Sequence, residues 1–306
     1  MLFRSGVLGC DLYTLGRAGV RMTGGDRKTL TPSRHFVENC DIHDFSRLDR
    51  TYTPAVQIEG DGNRIAHCRF HDAPHHAIRL EGNDHLIEFN EIDHVVTEAD
   101  DQGGFDEWSN PSYRGNILRD NYWHDIGSGL TAVGQAGIRL DDAISGTLIY
   151  GNVFARCSGG NFGGVQMNGG KDNWIDNNIF VDCNIAISGG FWGGDRWAYS
   201  LHQPDTVEAV TKTVDVHSPP YSVRYPELAH LEATSGFNHI WRNTAVNCRR
   251  FLAGNNDNFD AANNFLTGSA AAALPSLTGF APIPLSEMGL YRDPNRASWP
   301  APQTAP

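Results

Sequence analysis

Lysine is almost missing from this chain: Lys28, Lys171 and Lys212 are its only three, against a net charge of −12. Nucleic-acid binding needs clustered Lys and Arg on one face, so this balance argues against a nucleic-acid partner. Long apolar runs are also lacking. None approaches the roughly 18–20 residues a membrane-spanning helix requires. The N-terminus has no apolar core of the signal-peptide kind, since patterned sequence begins directly after Met1-Leu2-Phe3-Arg4. The chain has no CxxC pair, no GxxxxGK[ST] phosphate loop and no Gly-x-Ser-x-Gly elbow. A cysteine-based metal centre, a P-loop nucleotide site and a hydrolase elbow are therefore not expected.

What the chain has instead is a repeat. An apolar residue, two variable residues, Asn or Cys, one variable residue and another apolar residue recur. The unit reads Val37-Glu38-Asn39-Cys40-Asp41-Ile42, then Ile65-Ala66-His67-Cys68-Arg69-Phe70, then Ile87 with Asn90 and Ile92. The Asn/Cys slot falls at Cys10, Cys40, Cys68, Asn90, Asn121, Asn152, Asn178, Asn243 and Asn263. The spacing is about one solenoid coil, roughly 20–30 residues, except for one large gap that implies an insertion over 189–237. Between these units lies a second strand with period-2 alternation: Val56-Gln57-Ile58, Ile78-Arg79-Leu80, Ile138-Arg139-Leu140 and Val165-Gln166-Met167. Gly, Asn and Asp follow each one and supply the corners. No coil buries its apolar face alone, so the stack is the folding unit.

The fold class read from this pattern is all-β: a right-handed parallel β-helix, a pectate-lyase-like solenoid of about nine coils over 1–269. Residues 270–306 are expected to run as an irregular tail along its outside. Val7 is already in register, so the first coil lacks a cap. The expectation is an N-terminally truncated solenoid, with Met1–Arg4 as a junction. Cys157, Cys183 and Cys248 each follow a ladder Asn by five residues, which predicts a second column of buried thiols rather than disulfides or metal ligands.

The outward positions of the second strand form polar columns, a track suited to a long polymer. One column is Arg21, Gln57, Arg79, Arg139 and Gln166; the next is Thr23, Glu59, Glu81, Asp141 and Asn168. Between them comes an irregular coil. Matching Phe105 to Leu80 and Leu140 places Asp106 between Glu81 and Asp141, and Asp101 beside His76. Glu98, Asp100, Asp101, Asp106, Glu107, Asp141 and Asp142 then crowd two adjacent coils. Carboxylates held together are tolerated where a cation lies among them or where a raised pKa is useful. Paired carboxylates at short range carry out glycoside hydrolysis. A single acid more often just decorates a solvated turn, but the whole cluster beside Arg79, Arg139 and His76 points the other way. His75, His76 and Lys171 are weaker site candidates. Trp192 and Trp197 sit in a glycine-rich stretch where they could stack on sugars or plug the groove.

Several stretches together resemble bacterial right-handed β-helix carbohydrate-active proteins. They are Ala73-Pro74-His75-His76-Ala77-Ile78, Gly82-Asn83-Asp84-His85-Leu86-Ile87-Glu88-Phe89-Asn90, Glu98-Ala99-Asp100-Asp101, His124-Asp125-Ile126-Gly127 and Gly137-Ile138-Arg139-Leu140-Asp141-Asp142. The likeness is to the β-helix glycoside hydrolases that include α-L-fucosidases and xylanases. It implies aspartates from adjacent coils as acid and base, at positions matching Asp101 and Asp141, with Asp100 and Asp142 as alternates. Arg79, Arg139, His75, His76, Asp106, Gln166, Lys171, Trp192 and Trp197 would then bind a polysaccharide or oligosaccharide. No cofactor is implied, and the protein would be an extracytoplasmic monomer. A polysaccharide lyase on the same scaffold would instead use Arg139, Lys171 or His76 as base, with Ca2+ held by the acids. A non-catalytic surface β-helix would leave Asp101 and Asp141 more than about 12 Å apart, beyond catalytic range.

Overall fold

A computed structural model describes residues 4–129, 132–233, 236–255, 257–268, 279–294 and 296. Met1–Phe3 of the expected junction and much of the 270–306 tail lie outside the described residues.

Each coil lays down three strands, as in Leu86–Glu88, Glu91–Asp93 and Gln102–Trp108. Among the described residues, these stack into two sheets of nine strands and one of eight, to which Ser158–Gly160 adds a ninth. All coil-to-coil pairings are parallel; Ser158–Gly160 alone pairs antiparallel, onto Gly134–Asp141. The inward residues align as the repeat requires. Val37, Ile65, Ile87, Leu118, Ile149, Ile175 and Ile240 form one fully buried column. Ile42, Phe70, Ile92, Trp123, Phe154 and Phe180 form another. At about 25 cal/mol per Å2 of apolar surface, each such side chain contributes roughly 1.5–3 kcal/mol.

The Asn ladder closes the corner between the first two sheets. Asn121 Oδ1 accepts from the Asn90 amide (3.0 Å) and side chain (2.9 Å), and Asn152 does the same for Asn121. The ladder runs on through Asn178 and Asn243 to Asn264. The expected last rung, Asn263, is instead the corner residue before it, with φ 55°. Cys68 takes the Asn slot as read from sequence, its amide donating to Asn90. All six thiols are free, and Cys40, Cys68, Cys157 and Cys183 are buried. A second ladder, Asn63–His85–Asn116 and then Thr147–Asn173–Asn238, lines another corner and was not read from the sequence.

The solenoid strand Ile185–Gly190 continues two residues past Ser188, and the chain leaves the stack after it. Short helices follow at Gly194–Leu201, Pro204–Glu208 and Tyr221–Arg224. Trp192, Trp197, Leu201, Val210, Tyr221 and Leu228 join in a separate apolar cluster. Tyr221 donates its hydroxyl to Asn83 (3.0 Å), and Arg224 pairs with Asp84 (2.8 Å), which docks this cluster on the coils. In the tail, the Gly289 amide donates to Phe89 and the Tyr291 amide to Asn39, both at corner positions of the stack. No helix among the described residues is long and apolar enough to cross a membrane.

Candidate active-site groove

The third sheet presents two outward columns. Pairing in register gives Arg21, Gln57, Arg79, Asp106, Arg139, Gln166 and Ser188 as one. The other holds Thr23, Glu59, Glu81 and then Trp108 beside Asp141. The columns read from sequence hold, but the irregular coil is displaced by two residues. Phe105 pairs with Ile78 and Ile138, not with Leu80 and Leu140. Asp106 therefore stands between two arginines. Glu107 takes the inward slot between Leu80 and Leu140 and is fully buried, accepting from Asn116 (2.9 Å) and Thr147 (3.4 Å).

Arg139 organises the groove. Its Nη2 lies 2.8 Å from Asp101 Oδ1 and 2.9 Å from Asp141 Oδ2. Two oxygens at those distances from one nitrogen are at most about 5.7 Å apart, which is within catalytic reach. Asp101 lies at a corner of the preceding coil, with φ 55°, and its carboxylate meets Arg139 from there. Asp106 sits between the arginines, 3.1 Å from Arg79 and 3.6 Å from Arg139. Burial pushes its carboxyl up to about 6 despite both guanidinium groups, and its Oδ1 has no hydrogen-bond partner. Burial also raises Asp141, outweighing Arg139, while Asn168 donates to its Oδ1 (3.0 Å). Asp106, Arg79, Arg139 and Asp141 share a concavity of about 330 Å3 walled by Tyr52 and Trp108. These two rings, 63% and 49% exposed, are the aromatic surfaces of the groove, and the sequence reading missed both. The outward column shared with Glu81 and Asp141 was the available signal for Trp108.

The alternates Asp100 and Asp142 are committed elsewhere. Slight desolvation raises Asp100, but the Val133 and Gly134 amides (2.9 and 2.8 Å) hold it below the usual range. Asp142 accepts from Trp108 Nε1 (3.1 Å) and Asn168 (2.9 Å) and so props the aromatic wall. His75 and His76 are buried behind Tyr52, with their Nδ1 atoms 2.9 Å apart. Desolvation and the neighbouring arginines push His75 down to about 4 and His76 well below its ordinary value, so both are neutral. Gln166 lies in the Arg139 column and accepts from Ser188.

Three expected groove residues are placed elsewhere. Lys171 is buried and donates to the His230 and Leu231 carbonyls (2.7 and 3.2 Å), pinning the inserted helices. Trp197 is buried in the insertion and donates to Leu231 (2.9 Å). Trp192 closes the groove edge, donating to Asn168 (3.0 Å), but it is buried beneath Arg196. The insertion folds as its own small core, and its tryptophans are spent there. A larger concavity of about 410 Å3 lies below it, but its arginines are paired off, Arg114 with Asp172 and Arg224 with Asp84.

Residues 54–194 match the family model described as right handed beta helix region. The solenoid is a right-handed parallel β-helix. No curated protein and no solved structure matches the chain. The matched stretch of the β-helix contains Arg79, Asp101, Asp106, Arg139 and Asp141. Such β-helix domains are common to polysaccharide-degrading enzymes and to surface proteins, so the fold leaves both classes open and the choice rests on the groove.

Proposed function

We propose that this β-helix is a glycoside hydrolase acting on a polysaccharide laid along the third sheet. The observation that carries the reading is the convergence of Asp101 and Asp141 on one guanidinium nitrogen of Arg139, which together with Asp141 lines a concavity walled by two exposed aromatic rings. A merely decorative set of acids has no reason to converge. In this reading Asp141, whose carboxyl burial raises above its ordinary range, gives its proton to the glycosidic oxygen as the bond to the anomeric carbon breaks. Asp101, held by Arg139, attacks that carbon. Water then releases the sugar, and Asp141 takes the proton from that water. Tyr52 and Trp108 stack on sugar faces, and Asp106 holds Arg79 and Arg139 in place from between.

The groove supports a lyase less well. Lys171 and His76 are buried away from it or behind it. Arg139 is paired with Asp101, Asp106 and Asp141, and a guanidinium spent on three carboxylates has no role as a base. The reading requires no cofactor; Ca2+ enters only with a lyase. The substrate is extracytoplasmic, and the β-helix acts on it as a monomer. The test is release of new reducing ends from glycans by the wild-type protein and its loss in Asp141→Asn.

A further inference from the structure

The second sheet carries chemistry that the groove does not use. Its outward face aligns Tyr13, His43, His71, Asp93 and His124 in one column and Asp41, Arg69 and Glu91 in the next. His43 and His71 stack with ring centroids 4.6 Å apart and 12° between planes. His71 Nε2 leans to Asp41 Oδ1 at 3.1 Å. One ligand atom each from Asp41, His43 and His71 lie within 4.8 Å of one another. A four-coordinate zinc ion with bonds of about 2.0–2.2 Å spaces its ligand atoms roughly 3.3–3.5 Å apart. A bound ion would draw these three atoms together from their present separations of 4.8 Å or less.

A second, independent feature points the same way. In each of the two coils the residue after the histidine is an aspartate in the left-handed region: Asp44 at φ 49° and Asp72 at φ 53°. That turn folds each carboxylate back on the preceding ring. His43 Nδ1 meets Asp44 at 2.8 Å, and His71 Nδ1 meets Asp72 at 2.7 Å. A carboxylate on Nδ1 orients each ring with Nε2 toward the site; at His71, Nε2 donates to Asp41 Oδ1, and a metal ion would replace that proton between the two. Stacking alone does not require these partners. Asp41 and His71 are buried, while His43 is partly open to solvent, so the site has two fixed ligands and an accessible side.

We propose that Asp41, His43 and His71 bind one divalent transition-metal ion of the zinc type. Two imidazoles and a carboxylate suit such an ion better than Ca2+ or Mg2+, which take oxygen ligands. The neighbouring trio Glu91, Asp93 and His124 does not qualify, because a cation already fills it: Arg69 pairs with Asp93 at 3.0 and 3.1 Å. The site lies on a different sheet from the groove and stands whether or not the groove is a hydrolase.

The experiment is calorimetric titration of ZnCl2 into chelator-stripped full chain. The expected result is one zinc per chain, weakened at least about 100-fold in His43→Gln and in His71→Gln. Asp44→Asn and Asp72→Asn should weaken it by about 10–100-fold, the usual effect of an outer-shell partner. Asp141→Asn and Glu91→Gln should bind as wild type. His43 is partly exposed, so His43→Gln decides if His71→Gln fails to fold by circular dichroism. No zinc binding by the wild type at millimolar metal overturns the proposal. So does wild-type affinity in His43→Gln, or loss of binding in Glu91→Gln.

Discussion

Asp101 and Asp141 meet on a single atom, Nη2 of Arg139, at 2.8 and 2.9 Å. One comes from a corner and the other from a strand of the next coil, so the guanidinium sets their separation. Replacing Arg139 with Lys offers one ammonium where the planar fork faced Asp101, Asp106 and Asp141. The expected outcome is a fall in kcat of at least about tenfold, with the fold intact by circular dichroism.

The two aspartates are expected to fail separately. Asp141→Asn and Asp101→Asn should each lower kcat by about 10^2–10^4-fold, the usual contribution of a positioned acid or base. The double variant should be little worse than either, because the groups act in one step. Asp100→Asn and Asp142→Asn remove anchors of the groove wall instead. They should lower the melting temperature while leaving kcat within severalfold. Steady-state kinetics beside thermal melts distinguishes the two classes.

The short carboxylate separation also fixes a stereochemical outcome. Carboxyl groups about 5–5.5 Å apart suit retention, and about 6.5–9.5 Å suit inversion. The bound of about 5.7 Å between Asp101 and Asp141 predicts retention. Proton NMR of the first-formed anomer reads this directly, and an inverted product would remove Asp101 as nucleophile.

Glu107 predicts how stability changes with pH. Burial raises its carboxyl from 4.5 to about 8, although Asn116 and Thr147 donate to it. Between those values the folded chain holds the proton and the unfolded chain does not. Stability must therefore fall as pH rises through this window and level off above about 8. Asp106 adds the same sign between 3.8 and about 6. Glu107→Gln keeps the shape without the ionisation: its oxygen accepts from Asn116, and its amide donates to the Thr147 hydroxyl. It should flatten the fall and be more stable than wild type above pH 8 by a few kcal/mol, measured by urea unfolding at several pH values. Activity should also decline as pH rises through the raised Asp141 value, since the acid loses its proton.

The regular coils were legible because inward residues alternate with outward ones at period 2, and one slip would expose a whole apolar column. That logic placed Arg79, Arg139, Asp141 and the Asn ladder. It failed where the chain breaks its own rule. Glu107 is a carboxyl in an inward slot, so a reader of polarity moves Phe105 into that slot and shifts Asp106 and Trp108 with it. The cost of burying Glu107 is met by Asn116 and Thr147, partners on a second ladder that carries no apolar signature. The insertion was legible only as a gap in the repeat. That Trp192, Trp197 and Lys171 serve its own packing depends on contacts between helices, which have no trace in a solenoid period. The His43–His71 pair was hidden for a related reason: its members are adjacent only once the coils stack.

The most direct test of the central claim is a product assay. Wild type and Asp141→Asn are incubated with a panel of neutral and uronic-acid glycans, reading new reducing ends and the ultraviolet absorbance of an unsaturated uronate together. A hydrolytic Asp101–Asp141 groove predicts reducing ends without absorbance from the wild type, and their loss in Asp141→Asn. Absorbance from the wild type, or undiminished reducing ends from Asp141→Asn, would contradict it.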